Sequence, residues 1–256
     1  MYGFKGTNIN LKCKNFQFKL NETFYHQDRV EICHSGFHFC EKLKKVKDHY
    51  SFNKNNRFFI IKSGNKYETL EAKSVAGEIT FLEEIKVDNL ISYIESSKYR
   101  EFLKKNINGL FILAFDMKII DLNLLKYLHT HGANITVENN YALIIASKNG
   151  NLNVVKYLYE NGVNITIPNN EAIRYASKNG HLEVVKYLHV NGANIRTMND
   201  YAIIHASEKG HLEVVKYLHE NGADITAENN QCLDWANENG YLKIAEYLLE
   251  NGAKPY

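Results

Sequence analysis

The sequence predicts a mainly α-helical fold: a solenoid of helix-turn-helix units with a 30-residue period, preceded by a small α+β domain. Three observations carry this prediction. The line "NGHLEVVKYLHVNGAN" recurs thirty residues later as "KGHLEVVKYLHENGAD". Glycines recur with the same spacing at two places in each period. The first third of the chain lacks this period and holds short runs of β-favouring residues.

The glycines mark the ends of two predicted helices in each unit. One series is Gly150, Gly180, Gly210 and Gly240, and the other is Gly132, Gly162, Gly192, Gly222 and Gly252. Glycine commonly lies just past a helix end because it takes the left-handed backbone conformation that other residues resist. The second helix carries one apolar face, which begins with Leu152, Val155 and Leu158. A single hairpin cannot bury this face, so neighbouring copies are expected to pack against one another.

Residues 1–86 predict a small α+β domain, and residues 87–109 predict a connecting helix. The β-favouring runs are "FQFKL", "ETFYH", "FHFC", "RFFIIKS" and "EITFLEEI". One helix is predicted within this domain, over Glu41–Ser51. The repeat array is expected to occupy residues 110–256.

The repeated unit, as in "YAIIHASEKGHLEVVKYLHENGADI", resembles the ankyrin repeat. The resemblance implies two antiparallel helices in each unit, followed by a projecting loop. The units are three residues shorter than the usual 33, so these loops are expected to be short. The usual Thr-Pro-Leu-His is absent, and other residues are expected to cap the first helices instead. These predicted caps are Asn140, Asn170, Asp200 and Asn230.

About five units are predicted, the first and last of them atypical, as capping units would be. Thirty-residue units in a chain rich in Asn, Lys, Ile and Tyr resemble ankyrin-repeat proteins of mimivirus-type giant viruses. The N-terminal third, with its "CHSGFHFC" segment, resembles a domain of unassigned function found in phages and giant viruses. That second resemblance implies a co-occurring module and no particular chemistry.

Residues of the types that bind metals lie close together in the N-terminal third. They are Cys33, His34, His38 and Cys40, with Cys13 upstream. Zinc needs four such ligands in a tetrahedron, and this spacing is not that of a standard zinc knuckle. In a strand, Phe37 and Phe39 would face one way and His38 and Cys40 the other. A strand with ordinary core cysteines is therefore favoured, and neither a metal nor a cofactor is predicted.

The order of strands and helix in the same segment resembles that of ADP-ribosyltransferases. The resemblance implies an NAD-binding groove and a catalytic glutamate, for which Glu78, Glu83 and Glu84 are candidates. An order of elements is a likeness of fold and not a site. The chain also has no phosphate-binding loop or dinucleotide glycine motif. The leading prediction is that the protein is not an enzyme, with transferase chemistry as the alternative.

Composition and charge exclude other function classes. The formal net charge is +2, so the chain lacks the basic footprint of a nucleic-acid-binding protein. The longest apolar run, Gly109–Phe115, is too short to span a bilayer. Four cysteines, three of them in the N-terminal third, do not form a disulfide framework. We expect a monomer in the cytoplasm, or in the host-cell cytoplasm for a viral protein, with no nucleic-acid or membrane partner.

Comparison of the copies separates core positions from surface positions. Positions that stay constant build the core, and positions that change face outward. One changing position reads Ile145, Tyr175, His205 and Trp235, and the position four residues earlier reads Tyr141, Glu171, Tyr201 and Gln231. In ankyrin proteins this side of the first helix faces the concave groove. Aromatic side chains on such a face are typical of protein interfaces.

We therefore predict that a partner protein binds along this face. The predicted binding residues are Tyr141, Ile145, Tyr175, Tyr201, His205 and Trp235, with Val137, Ile167 and Met198 in the loops. An alternative is that the aromatic side chains only fill gaps between shortened loops. A ubiquitin-ligase substrate adaptor is a further alternative, although the chain stops soon after the last repeat, at "GAKPY".

Overall fold

The computed structural model describes residues 2–8, 12–13, 16–25, 37–40, 42–46, 56–64, 67–70, 73–76, 78–166 and 169–254. The chain divides into two compact units, Met1–Asn134 and Ile135–Tyr256. The first unit combines strands with helices, and the described residues of the second are helical or in turns. The predicted fold class, a mainly helical repeat array behind a small α+β region, is confirmed. Within the described ranges, no helix has the length and apolar character needed to cross a membrane.

The described strands of the first unit form antiparallel sheets. In chain order they are β1 (Tyr2–Asn8), β2 (Lys12–Cys13), β3 (Phe16–Gln17), β4 (Thr23–Tyr25), β5 (Phe37–Phe39), β6 (Asn56–Ser63), β7 (Tyr67–Leu70), β8 (Lys73–Ala76) and β9 (Glu78–Glu84). The largest sheet has the order β1-β6-β9-β4, a second has the order β5-β8-β7, and β2 pairs with β3. The core of this unit contains Phe18, Phe39, Phe59, Ile61, Ile79 and Phe81.

Each of the five β-favouring runs contains a strand, but four described strands lie outside these runs: β2, β7, β8 and the longer β1. Its sequence, "YGFKGTN", contains two glycines, which count against a strand in sequence analysis. A Cβ atom added to Gly3 would lie 2.6 Å from Phe39 Cδ2 and 2.9 Å from the Cys40 carbonyl oxygen. Backbone hydrogen bonds join Phe4 to Cys40 at this point. Glycine is therefore needed for close approach, and the sequence pattern alone does not reveal this.

Five helices are described in the first unit. They are α1 (Leu43–Val46), α2 (Leu90–Ser96), α3 (Arg100–Lys105), α4 (Ile107–Asp116) and α5 (Leu122–Thr130). The short α1 lies inside the helix predicted over Glu41–Ser51, whose residues 47–51 lie outside the described ranges. Residues 87–109, expected to form one connecting helix, hold α2, α3 and the start of α4. The helices of the first predicted repeat, α4 and α5, belong to the first compact unit.

The second unit is a series of helix pairs. The helices are α6 (Val137–Lys148), α7 (Leu152–Glu160), α8 (Glu171–Lys178), α9 (Leu182–Val190), α10 (Thr197–Glu208), α11 (Leu212–Glu220), α12 (Ala227–Glu238) and α13 (Leu242–Glu250). First helices of adjacent pairs pack together, as α6 on α8 and α8 on α10. Second helices do the same, as α7 on α9 and α9 on α11.

The packing between pairs buries the face predicted from the period. Val155, Val185 and Val215 have 0% exposed surface. The glycines that follow the helices have positive φ, for example +77° at Gly180 and +101° at Gly192. These observations confirm both the stacking of copies and the left-handed glycine at the helix ends.

The predicted cap at Asn170 is wrong in its bonding. Asn170 and Asp200 have left-handed backbones, with φ of 54° and 59°, and Asn170 makes no side-chain hydrogen bond to the first turn of α8. Instead, its Oδ1 accepts from the Asn194 backbone N–H of the next pair at 2.9 Å. Asp200 Oδ1 accepts from the Asp224 N–H at the same distance. This column therefore joins neighbouring units through buried hydrogen bonds.

The repeated histidines also bond between units. The Nε2 atom of His181 lies 2.9 Å from the Lys148 carbonyl oxygen, and that of His211 lies 3.1 Å from the Lys178 carbonyl oxygen. Each carbonyl belongs to the end of the preceding first helix. A second histidine, His219, bonds through Nδ1 to the Tyr247 hydroxyl at 2.8 Å. The histidines recur because each holds the same contact between successive copies.

The last pair leaves its outer side open. Leu242 is 74% exposed and Leu249 is 46% exposed. A Cβ atom added to Gly240 would meet nothing within 4 Å, whereas at Gly210 it would lie 2.5 Å from the Tyr241 ring. The last pair thus exposes Leu242, the leucine that recurs as Leu182 and Leu212 in the internal copies.

Candidate functional site

The predicted binding residues on the first helices lie together on the second unit. Tyr141 and Ile145 lie on α6, Tyr175 on α8, and Tyr201 with His205 on α10. Trp235 lies on α12. All six side chains are partly exposed, while their helical neighbours such as the alanine column are buried. We call these six residues, Tyr141, Ile145, Tyr175, Tyr201, His205 and Trp235, the aromatic strip.

Ring contacts connect the strip from one first helix to the next. The ring centroids of Tyr201 and His205 are 3.8 Å apart, and those of His205 and Trp235 are 5.0 Å apart. The Arg174 guanidinium carbon lies 4.3 Å from the Tyr201 ring centroid. The Lys148 ammonium lies 5.8 Å from the Tyr175 ring centroid. Cations and rings therefore alternate along this face, in the geometry of cation–π contacts.

The surroundings of His205 favour its neutral form. Burial lowers the pKa of His205 below the usual histidine value, and the positive charge of Lys178 adds to that effect. The hydrogen bond to Glu208 opposes it but does not reverse it. In the neutral ring, Nδ1–H donates to the Glu208 carboxylate, which also pairs with Lys209 at 2.7 Å. Burial alone would raise the pKa of Glu208, but its bonds from Lys209 and His205 lower it.

Of the three predicted loop residues, only Met198 can be placed. Its side chain is 55% exposed, on a left-handed backbone with φ of 55°. Ile167 lies outside the described residues, and Val137 begins α6 but its side chain is not described. The binding role of the strip and of these loop residues stays a prediction.

Comparison with known families agrees with the repeat geometry. Residues 90–169, 110–199 and 173–256 match the family described as Ankyrin repeats (3 copies). The chain belongs to the ankyrin-repeat family. Residues 1–93 match a family described as Domain of unknown function (DUF7666). A search of curated proteins gives no match.

The ankyrin assignment gives the second unit a function class. Ankyrin-repeat domains are generally binding modules without catalysis, and their partners are proteins. The aromatic strip lies on the first helices of this ankyrin array, where the copies differ from one another. Protein binding through the array is therefore the function class that the family supports.

Arg174 is a candidate that the comparison of copies overlooked. It is only 9% exposed, and its Nε atom has no hydrogen-bond partner among the described residues. Its position reads Ile144, Arg174, Ile204 and Asp234 in successive ankyrin units. A charge at a position that is isoleucine in two other copies is a usable signal. It was missed because two of the four residues suggested a core position.

The N-terminal candidates give no assembled site among the described residues. Cys33 and His34 lie outside the described ranges, and Cys40 is buried. Within those ranges, no three His, Cys, Asp or Glu side chains come together in a way that could hold a metal ion. Glu83 accepts a 2.7 Å hydrogen bond from the Ser97 hydroxyl.

Glu84 has a structural partner. It accepts two 2.7 Å hydrogen bonds from Arg57 across β6 and β9, and its pKa is lowered because the bonds from Arg57 and Lys86 outweigh the effect of burial. A carboxylate bound in this way on both oxygens is not poised to polarise a substrate. The transferase alternative gains no support from Glu83 or Glu84.

Proposed function

We propose that the ankyrin array binds a partner protein along the aromatic strip, on the face that is concave in ankyrin proteins, and that the chain has no catalysis of its own. One observation carries this proposal. The strip is the part of the first helices where partly exposed side chains, most of them aromatic, replace one another between copies, while the buried alanine column at Ala146, Ala176, Ala206 and Ala236 stays constant. Aromatic side chains offer large contact area at low entropic cost, so they dominate binding energy at protein interfaces.

The competing account is that the strip only packs the array. In that account the contacts of Tyr201, His205 and Trp235 stabilise neighbouring units, and their removal lowers stability without affecting a partner. The inter-unit contacts described above give the array other means of holding its units together. These are the Asn170 and Asp200 bonds and the histidine bonds. The packing account and the binding account therefore predict different results for strip variants.

The test compares Tyr175→Ala and Trp235→Ala with Tyr187→Ala. Tyr187 is also a half-buried tyrosine, but it lies on a second helix, where it contacts Tyr159. Partners are captured from host-cell extract by the full chain, identified by mass spectrometry, and then measured as purified proteins. Each strip variant should weaken binding by about 2 kcal/mol or more, and the control variant should change it little.

Circular dichroism shows whether each variant keeps its helical content. Unchanged affinity of Tyr175→Ala and Trp235→Ala, in folded protein, rejects the binding role of the strip. Loss of affinity in all three variants together indicates a general loss of the array, and the packing account is then preferred.

Three further parts of the proposal concern the whole chain. The near-zero net charge supports a chain with no nucleic-acid partner. We also infer a monomer in the cytoplasm, and the compositional resemblance to giant-virus proteins makes this the host-cell cytoplasm. Light scattering of the purified chain tests the monomer, and a dimer at micromolar concentration would contradict it.

A further inference from the structure

We propose that the aromatic strip selects an acidic segment of its partner protein, whose Asp or Glu carboxylates pair with Arg174, Lys148 and Lys178. This inference rests on the proposed function, and it adds the chemistry of the partner. It is carried by the placement of cations beside the strip and by their lack of carboxylate partners.

Arg174 is the central observation. Its side chain is 91% buried, its guanidinium stacks on Tyr201, and its Nε has no hydrogen-bond partner among the described residues. Burying a guanidinium without an anion is unfavourable. A buried guanidinium is usually paired with a carboxylate, and the partly buried Arg57 likewise donates two 2.7 Å hydrogen bonds to Glu84. Arg174 has the same planar fork of donors for a carboxylate, and in this structure no carboxylate of the described residues forms an ion pair with it.

Two lysines extend the positive charge along the same face. Lys148 lies over the Tyr175 ring, and Lys178 is the last residue of α8, the helix that carries Tyr175 and Arg174. Neither lysine forms an ion pair within the described part of the chain. Glu171, three residues before Arg174 on α8, is likewise in no ion pair there, so it does not neutralise either lysine at contact distance.

Apart from Glu171 on α8, the negative charges of Glu208, Asp234 and Glu238 lie toward the other end of the strip. Glu208 is already paired with Lys209 and bonded to His205. Asp234 and Glu238 follow on α12, the helix that carries Trp235. The uncompensated positive charge is therefore at α6 and α8, and the apolar surface of Trp235 lies beyond it. A complementary segment has carboxylates at one end and an aromatic or aliphatic side chain at the other.

An acidic protein segment fits this pattern better than a nucleic acid. Stacked rings with cations also bind single-stranded nucleic acids. The carboxylates of Glu171, Glu208 and Asp234 on the same first helices would repel a continuous phosphate backbone. A protein segment can place its carboxylates only where the cations are.

The test uses a random-peptide display library selected on the full chain at about 0.15 M salt. We expect the enriched peptides to contain Asp or Glu close to an aromatic or aliphatic residue. The best peptide is then synthesised with a fluorescent label, and its affinity is measured by anisotropy. Arg174→Gln should weaken the affinity for the peptide by about tenfold or more. Arg174→Lys keeps the charge and loses the planar fork, so its affinity should lie between those of the parent chain and Arg174→Gln.

A matched control is available on a second helix. Lys156 lies 5.7 Å from the Tyr187 ring centroid, almost the same geometry as Lys148 over Tyr175 at 5.8 Å. Lys148→Gln should weaken the peptide severalfold, and Lys156→Gln should leave the affinity within about twofold. Since Lys148 is exposed, its variant should fold normally even if Arg174→Gln does not.

The outcomes separate this inference from the proposed function. If the enriched peptides lack acidic residues, or if Arg174→Gln and Lys148→Gln bind as well as the parent chain, the inference is overturned. If Trp235→Ala still weakens the affinity for the selected peptides, the proposed function is retained. If Trp235→Ala and Tyr175→Ala also bind the peptides normally, the proposed function fails as well. Binding only when phosphoserine replaces each acidic residue, or binding of a single-stranded oligonucleotide in place of any peptide, also overturns the inference.

Discussion

Gly180 and Gly240 have nearly the same backbone conformation but different neighbouring atoms. Gly180 has φ of +77° and Gly240 has φ of +75°. A Cβ atom added to Gly180 would lie 2.5 Å from Nδ1 of His211, in the next pair of helices, whereas at Gly240 it would meet nothing within 4 Å. Comparing Gly180→Ala with Gly240→Ala therefore isolates the contact between units.

The magnitudes follow from this geometry. Alanine in the left-handed conformation costs about 1–2 kcal/mol at either position. At Gly180 the new methyl group must also displace the His211 ring, which gives up its 3.1 Å bond to the Lys178 carbonyl oxygen. Overpacking of this kind costs about 1–3 kcal/mol. Gly180→Ala should therefore lower the free energy of unfolding by about 2–5 kcal/mol, and Gly240→Ala by about 1–2 kcal/mol.

Urea unfolding of the full chain, followed by circular dichroism, measures both variants. Gly192→Ala is a second control in the same helix pair as Gly180, because a Cβ atom there meets nothing within 4 Å. In a His211→Ala background, Gly180→Ala should cost no more than Gly240→Ala, since the obstructing ring is gone. Equal losses for Gly180→Ala and Gly240→Ala, or no relief in that background, would refute the reasoning about the interface between units.

Three further predictions concern pH, packing and the bonds between units. The pKa of His205 is lower in the folded chain than its unfolded value of about 6.5. The contribution of His205 to stability is therefore fully present above pH ~6.5, and it is lost as the pH falls from that value through the folded pKa. The Tm should fall on acidification from pH ~7.5 to ~5.5, and less steeply in His205→Gln; parallel pH profiles would contradict this. Leu188→Ala, at a fully buried site, should lower the free energy of unfolding in urea by about 2–5 kcal/mol. Leu242→Ala, at a 74% exposed site, should lower it by under about 0.5 kcal/mol. Equal losses would contradict the exposure of Leu242. Asp200→Ala should cost about 1–3 kcal/mol, because the Asp224 N–H loses its acceptor, and Asp200→Asn should cost less since the amide oxygen can still accept; the same urea assay giving equal losses would contradict the role of that bond.

The array was predictable because its contacts repeat. Every internal copy meets the same residues in the next copy, so the 30-residue period carries the packing directly. The burial of Val155 and Val185 follows from that period without knowledge of the rest of the fold. The strand β1 lies outside the repeats, so no period in the sequence indicates its contacts. Gly3 is required by Phe39 and Cys40, which are far from it in sequence and near it only in the folded sheet.

The wrong cap at Asn170 has a physical origin as well. Asn and Asp before a helix usually accept from its first turn. At Asn170 and Asp200 the backbone is left-handed, and the side chains bond to backbone N–H groups 24 residues later. Sequence patterns identify Asn and Asp as residues that can cap a helix or bond to the next unit. They do not show which backbone conformation the residue takes.

The strip positions could be predicted from the sequence, whereas Arg174 could not, and the reason is the length of the Arg174 side chain. A long stem can lie on apolar neighbours while its charged group reaches a surface. Arg174 shares a position with Ile144 and Ile204, so its stem occupies an apolar place while its guanidinium lies over Tyr201. A rule that sorts positions into core and surface cannot describe a residue that belongs to both.

In the proposed function, packing and recognition use largely separate residues of this array, although the rings of His205 and Trp235 also meet between neighbouring units. The contacts between units are made by left-handed Asn and Asp residues, by histidines bonded to backbone carbonyls, and by glycines that admit the neighbouring ring. These positions are nearly constant between copies, whereas the strip changes from Ile145 to Tyr175, His205 and Trp235. Under the proposed function, substitutions on the strip should alter what is bound while the Asn, Asp and histidine bonds between units stay in place. That separation lets a single period of thirty residues hold four different surface residues at one position.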